Sequence, residues 1–219
     1  MTGLTASELK ALLLGLVAVA VAATLPLFDE GYYLSLSVNI VLYVAMCTAW
    51  SLFSGPTHYI SLATAAFYGL GVYSVALLVD HVPFPLLVAL GGLSAAIVAG
   101  LVGAATLRLS GVYFVIFTLG LAELVRQLIT WGQSKLWTRM GLYVFTDFTE
   151  KHVYWMLLAL TVAIFLTGWL ISRSRLGFAM QVIGNDEVVA RHVGIDTARA
   201  KILLFMISGA FIGIAGAII

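Results

Sequence analysis

Charge is the scarcest commodity in this chain. Only 10% of its 219 residues are Asp, Glu, Lys or Arg and 62% are hydrophobic, with a mean hydropathy of +1.09. A typical soluble domain carries roughly 25% charged residues, so a soluble fold is excluded. The formal net charge of +1 supplies no basic field for nucleic acid. Cysteine is nearly missing too: Cys47 stands alone within an apolar run. That argues against disulfides, metal sites and thiol chemistry, and predicts a small buried apolar residue. There is no G-x-x-x-x-G-K-[ST] loop to cradle a nucleotide phosphate, no H-E-x-x-H, no serine elbow and no paired-cysteine motif. Catalytic residues, a cofactor and a metal are therefore not expected. What remains is a pore, a carrier, or the membrane half of a pump whose motor is another chain.

What the chain has instead is long stretches without charge, at residues 11–28, 31–79, 81–107, 109–122, 152–172 and 202–219. A charge near the bilayer centre costs at least ~2.5 kcal/mol, so these stretches mark membrane-spanning segments. One span needs about 20 residues, so the interval 31–79 must fold back. Ser54, Gly55, Pro56 and Thr57 mark the expected turn. The prediction is an all-α polytopic membrane protein forming one transmembrane domain, residues 1–219. It has about seven helices, near 9–25, 33–53, 58–79, 84–107, 112–131, 153–172 and 198–219. The sequence stops at Ile219 within an apolar run, which leads us to expect further helices beyond it. Lys10 before an apolar core and Ala20-Val21-Ala22 allow a secretory signal to be read into the first span. The length of its core favours a retained span; an inside amino terminus fits the orientation below, but removing the span would not invert the others.

Polar groups inside the spans are candidates for lining a path. Asn39 in the second span is expected to face inward, since lipid offers an amide no partner. The third span opens with His58-Tyr59-Ile60-Ser61-Leu62-Ala63-Thr64 and then carries Gly69 and Gly71. Two readings stand: a broken helix whose irregular backbone is satisfied by protein or a water-filled cavity, or a plain helix with packing glycines. In the fourth span, Gly92, Ala96, Gly100 and Ala104, with Ala95, Ala99 and Gly103 alongside, form a packing face, and Gly209 and Gly213 make a G-x-x-x-G pair in the last span. Glu123 and Arg126 in the fifth span are three apart and can pair. With Trp131 as a boundary marker, they are expected near the outer interface, snorkelling toward water. The loop 132–151 mixes Lys135, Arg139 and Lys151 with Asp147, Glu150 and aromatics, as suits an interfacial segment. Asn39, Ser61, Thr64 and Tyr113 are the polar groups expected along a translocation path.

One polar island interrupts the membrane pattern. Between residues 173 and 201 lie Arg173, Arg175, Arg191, Arg199 and Lys201 with Asp186, Glu187 and Asp196. Asn185 is expected to cap a short helix with Asp186 and Glu187 in its first turn. Glu187 and Arg191 pair across one turn, Val189 and Val193 share a side, and Gly194 supplies the stop. Asp196 or Thr197 then caps the last span. The segment 173–197 is either a solvated connection or a docking element for a cytoplasmic partner. Because cytoplasmic loops are rich in Lys and Arg, the island is expected inside. So are the amino terminus, the turn near Pro56 and the Arg108 loop, while the loops at Asp29, Asp80 and Trp137 lie outside.

Several stretches carry a resemblance. These are Gly31-Tyr32-Tyr33-Leu34, the run from Ile60 to Tyr73, Leu107-Arg108-Leu109-Ser110-Gly111-Val112-Tyr113-Phe114, and Ser174-Arg175-Leu176-Gly177-Phe178-Ala179-Met180 followed by Asn185 to Ile195. Together they resemble the permease subunits of branched-chain amino acid ABC importers, over residues 31–219. The resemblance implies a permease of the cell (inner or plasma) membrane that pairs with a second permease subunit, as a heterodimer. It also implies two cytoplasmic ATPase subunits and a periplasmic or extracellular solute-binding protein. ATP hydrolysis would then belong to the partner, and this chain would be a transport subunit without a cofactor. It further implies that Asn185, Asp186, Glu187, Ala190, Arg191, Gly194 and Ile195 belong to a coupling helix seated in the ATPase. The solute would be a branched-chain or other hydrophobic amino acid, with urea and amides in close relatives. Ala63 and Thr64 stand where the family commonly has glycine then histidine or glutamine, and Phe178, Gln181 and Gly184 stand where arginines are frequent. A stand-alone secondary carrier or channel, with Glu123 and Arg126 as its coupling pair, is the alternative.

Overall fold

The structure is a computed structural model that describes residue 15 and residues 17–26, 31–79, 82–106, 112–137 and 149–219, the side chains of 136 and 137 excepted. The expected start of the first span, the loops at Asp29, Asp80 and Arg108, and residues 138–148 lie outside the described residues. Every regular element described is a helix. The chain runs through α1 (Val17–Pro26), α2 (Tyr32–Thr57), α3 (Thr64–Leu78), α4 (Phe84–Thr106), α5 (Val112–Gly132, continued by a π-helical turn, Gln133–Trp137), α6 (Glu150–Ser172), α7 (Arg175–Asn185), α8 (Glu187–His192) and α9 (Thr197–Ile218). Among the described residues, five helices (α2, α4, α5, α6 and α9) are long and apolar enough to cross a membrane, and α1 and α3 are shorter. The chain is therefore a multi-pass membrane protein.

The bundle is built on α9. Of its most apolar 18-residue window 61% is buried, against 22–33% for the other four long helices, and it touches α2, α3, α4, α6, α7 and α8. Without a hydrophobic drive between helices in lipid, close backbone approach and van der Waals packing must hold such a seam. Small residues provide it. A Cβ at Gly213 would lie 2.5 Å from the Ala95 Cβ and 2.7 Å from the Gly91 carbonyl oxygen, and one at Gly71 would strike the Gly213 carbonyl. Gly209 meets Ala99 and Phe67, and Gly216 meets the Tyr68 backbone. On α4, Gly91, Gly92, Ala95, Ala99 and Gly100 meet α9, whereas Ala104 from the expected four-residue row is exposed. A 3.6-residue turn drifts off a strict i, i+4 ladder, which accounts for the difference. The Ser208 hydroxyl donates to the Ala49 carbonyl at 2.7 Å, fixing α9 to α2.

Three expectations about the second span change. The helix does not stop at Ser54–Thr57 but runs through Thr57 with Pro56 inside it, and ends where His58 takes a left-handed φ of 56°. Proline has helical φ and costs only one hydrogen bond in a last turn. Asn39 is exposed on this chain, and its amide donates to the Ser35 carbonyl one turn back, 2.8 Å away. Bonded to its own backbone, it does not turn inward. Cys47 is likewise exposed rather than buried.

Candidate functional site around the polar island and the unwound third span

Each turn of the island is set by a local cap. Ser174 opens α7, its hydroxyl oxygen accepting from the Gly177 amide at 3.3 Å. Asn185 is not the cap of α8; it ends α7, its amide donating to the Gln181 carbonyl. The cap is Asp186, whose Oδ1 accepts from the amides of Val188 (2.8 Å) and Val189 (3.2 Å). A charged oxygen at the positive end of a helix outcompetes a neutral amide for that place. At the other end Gly194, with φ +85°, closes a Schellman turn: its amide donates to the Arg191 carbonyl, and the Ile195 amide to the Ala190 carbonyl, both at 3.0 Å. Asp196, the first of the two proposed caps, takes the Arg199 amide at 3.1 Å and starts α9.

Glu187 is the hub of this region. Its Oε1 accepts from Arg191 Nη2 at 2.7 Å, from Lys201 Nζ at 2.9 Å and from the Thr197 hydroxyl at 3.3 Å, and its Oε2 accepts from the Tyr59 hydroxyl at 2.8 Å. Lys201 is only 1% exposed and also stands 4.5 Å over the Tyr59 ring. Burial pushes the Glu187 carboxyl up, but hydrogen bonds from Arg191, Lys201 and Tyr59 outweigh it and hold the pKa at about 2. One carboxylate thereby ties α8 to α9 and to the segment after α2.

That segment is unwound. Residues 58–63 are not helical, and α3 holds only 15 residues, about 22 Å at 1.5 Å per residue against a hydrocarbon core of ~30 Å. The third span thus combines both readings: its first six residues are unwound, and from Thr64 it is an uninterrupted helix whose Gly71 packs against Gly213. Its backbone groups are met by neighbouring side chains: Trp50 Nε1 donates to the Ser61 carbonyl (2.8 Å), the Leu62 amide to the Thr118 hydroxyl (3.1 Å), and the Ala63 amide to the Ser61 hydroxyl (3.3 Å). His58 Nδ1 lies 2.8 Å from the Gly184 carbonyl. A Cβ at Gly184 would clash with the Pro56 carbonyl, so this chain has no room there for the arginine common in the family it resembles. Rings from five places close over the segment: Phe53, Tyr59, Phe67, Phe114 and Phe205, with Phe53 to Phe205 at 4.8 Å and Tyr59 to Phe114 at 5.5 Å.

The predicted site residues separate into groups. On α8, Val188, Val189 and Val193 are 61%, 50% and 70% exposed, and Asp186, Arg191 and Gly194 also lie outward. Ala190 is fully buried, Ile195 is half-buried, and Glu187 points inward. Ser61 is buried within the unwound segment and Thr64 is half-buried at its end. Asn39 and Tyr113 are exposed, on α2 and α5, and Asn39 is 18 residues from the α2 end that meets the segment, so these two do not join the others. Tyr59, Lys201, Trp50 and Thr118 carry the region yet were not singled out from sequence. Their contacts join different elements, from 11 residues apart for Trp50 with Ser61 to 128 for Tyr59 with Glu187, and the one available signal was a lysine one turn inside a membrane helix.

Comparison with known proteins decides the family. Residues 32–219 match the family described as the branched-chain amino acid transport system permease component. The chain belongs to that family. Relatives include the high-affinity branched-chain amino acid transport system permease proteins LivM of Salmonella typhimurium and of Escherichia coli, each 28% identical over 241 aligned residues. Each alignment covers 94% of this chain and 56% of the relative, so the chain spans little more than half the length of these relatives. No solved structure matches it. The polar island and the unwound span are features of this member of the family.

Proposed function

We propose that this chain supplies a membrane-spanning permease subunit of an ATP-driven importer whose solute is a branched-chain or similar aliphatic amino acid. One observation carries the reading: α8 is two-faced. Outward it offers Val188 and Val189, with Val193 in the turn that closes it, beside Arg191, a small apolar surface with one cation; inward its Glu187 grips Tyr59 and Lys201. A six-residue surface helix and the turn that closes it have no reason to expose three valines to water unless another protein covers them. A cytoplasmic ATPase is the partner that family membership favours, with a second permease and a binding protein completing the assembly and the amino terminus in the cytoplasm. Movement of α8 would pass through Glu187 and Tyr59 to the unwound segment, where a backbone held by side chains can rearrange at low cost. The test is purification of the complex from native membrane, followed by ATP-dependent leucine uptake in proteoliposomes. A P-loop ATPase should copurify, and Val189→Asp with Val193→Asp should release it while leaving the permease folded. Leucine uptake by the isolated permease, driven by an ion gradient and indifferent to both substitutions, would replace this reading with the secondary carrier.

A further inference from the structure

Glu123 and Arg126 do not sit near the end of the fifth span. Glu123 lies eleven residues after the start of α5 and nine before its end, near the middle of a helix long and apolar enough to cross a membrane. The helix continues past Trp131 through Gly132 into the π turn. The pair is well formed: Arg126 Nε donates to Glu123 Oε2 at 2.9 Å and Nη2 to Oε1 at 2.7 Å, with Gln127 Nε2 on Oε1 at 2.9 Å. Yet both side chains face outward, 54% and 71% exposed for Glu123 and Arg126. A full ion pair presented to lipid at this depth is costly, so this face of α5 borders water, solute or protein.

The same face borders a groove of about 810 Å³ between α3 and α5, within the roughly 300–1,000 Å³ of typical small-molecule sites. Its α3 wall holds the small residues Ala65, Ala66 and Gly69 together with Tyr73, and its α5 wall includes Gly120 beside the ion pair. The groove begins where the unwound segment ends, at Thr64. It therefore joins an apolar wall that suits an aliphatic side chain to one carboxylate and one guanidinium placed side by side. Of the five guanidinium N–H groups two are used by Glu123, which leaves Arg126 able to take a second carboxylate while Glu123 takes an ammonium.

We propose that this groove carries the solute across the middle of the membrane, and that Glu123 and Arg126 receive the ammonium and carboxylate of a zwitterionic α-amino acid with an aliphatic side chain. The proposal rests on the importer reading above for its transport assay. A zwitterion brings two opposite charges a few ångströms apart, and the pair meets both without leaving net charge in the membrane. A molecule with only one of the two charges would leave one residue of the pair unanswered.

The test uses the whole transporter in proteoliposomes, with Cys47→Ser as background and Gly120→Cys as reporter, since a Cβ at Gly120 meets nothing within 4 Å. During turnover the introduced thiol should react with a charged, water-soluble thiol reagent. Leucine should slow that reaction at least fivefold, whereas 4-methylpentanoate and isoamylamine, which each lack one charge, should not. Separately, Glu123→Gln and Arg126→Gln should each lower leucine uptake at least tenfold while ATP hydrolysis and subunit association persist, and the swap Glu123→Arg with Arg126→Glu should recover part of it. An unreactive thiol, as under a covering subunit or lipid, overturns the proposal, as do equal protection by all three solutes and unchanged uptake in both glutamine variants. Failure of the importer reading looks different: the unmodified protein carries leucine without an ATPase, and selective protection by leucine then still supports the site.

Discussion

The two long helices that differ most are α9 and α5. The first is buried along most of its length and locked to α3 and α4 by glycine and alanine contacts. The second meets α3 along one side only and turns an ion pair and a groove outward. Between them lie the unwound residues 58–63, which lean on α5 through Thr118 and reach α8 and α9 through Tyr59. The contrast teaches that this chain separates a rigid block, made by shape, from a set of polar linkages that can exchange partners. Shape contacts tolerate no added atom, and polar linkages tolerate rearrangement but not loss of a charge.

Substitutions sharpen that contrast. Gly213→Leu should have the largest effect, because its side chain must displace the Gly91 backbone and Ala95; overpacking of this kind costs about 3 kcal/mol or more. The readout is the yield of monodisperse protein in detergent and its thermal midpoint. Next comes Glu187→Ala, which removes the carboxylate from the buried Lys201. Breaking a buried pair costs ~3–5 kcal/mol, and the lower end applies since Glu187 keeps some contact with water. Its pH signature is separable. The folded pKa of about 2 lies below the ordinary 4.5, so the carboxylate stabilises the fold above pH ~4.5 and that stabilisation is lost as pH falls toward ~2. Thermal melts of the parent should fall across that window, and Glu187→Gln should remove this part of the slope.

Tyr59→Phe keeps the ring over Lys201 and deletes one hydrogen bond to a charged group, an effect of ~1.5–3 kcal/mol. It should reduce solute-stimulated ATP hydrolysis more than it reduces the melting temperature. Smallest is Gly120→Ala, which fills open space on α5 and removes a helix glycine, so stability should change by no more than ~1 kcal/mol, in the favourable direction. If Gly120→Ala were as damaging as Gly213→Leu, the division between locked block and open face would collapse.

Much of the fold was legible because charges are rare enough to act as punctuation: each charge-free interval long enough for a span holds a helix. Asp196 and Gly194 act as read, and Glu187 pairs with Arg191, because caps and one-turn pairs are local. Where sequence reasoning went astray, a second local solution existed. Pro56 can end a helix or sit in its last turn, Asn185 and Asp186 compete for one cap, and Asn39 can satisfy its amide on its own helix. The hub around Glu187 was illegible for another reason: Tyr59, Glu187 and Lys201 converge only through tertiary packing, and no spacing in the chain announces it.

The most direct measurement of the central claim uses Val189→Cys with Cys47→Ser and an impermeant thiol reagent, applied to inverted and right-side-out membrane vesicles. The account predicts rapid labelling in inverted vesicles stripped of peripheral subunits, and protection when the ATPase is added back. Labelling only in right-side-out vesicles, or labelling indifferent to the ATPase, would contradict it.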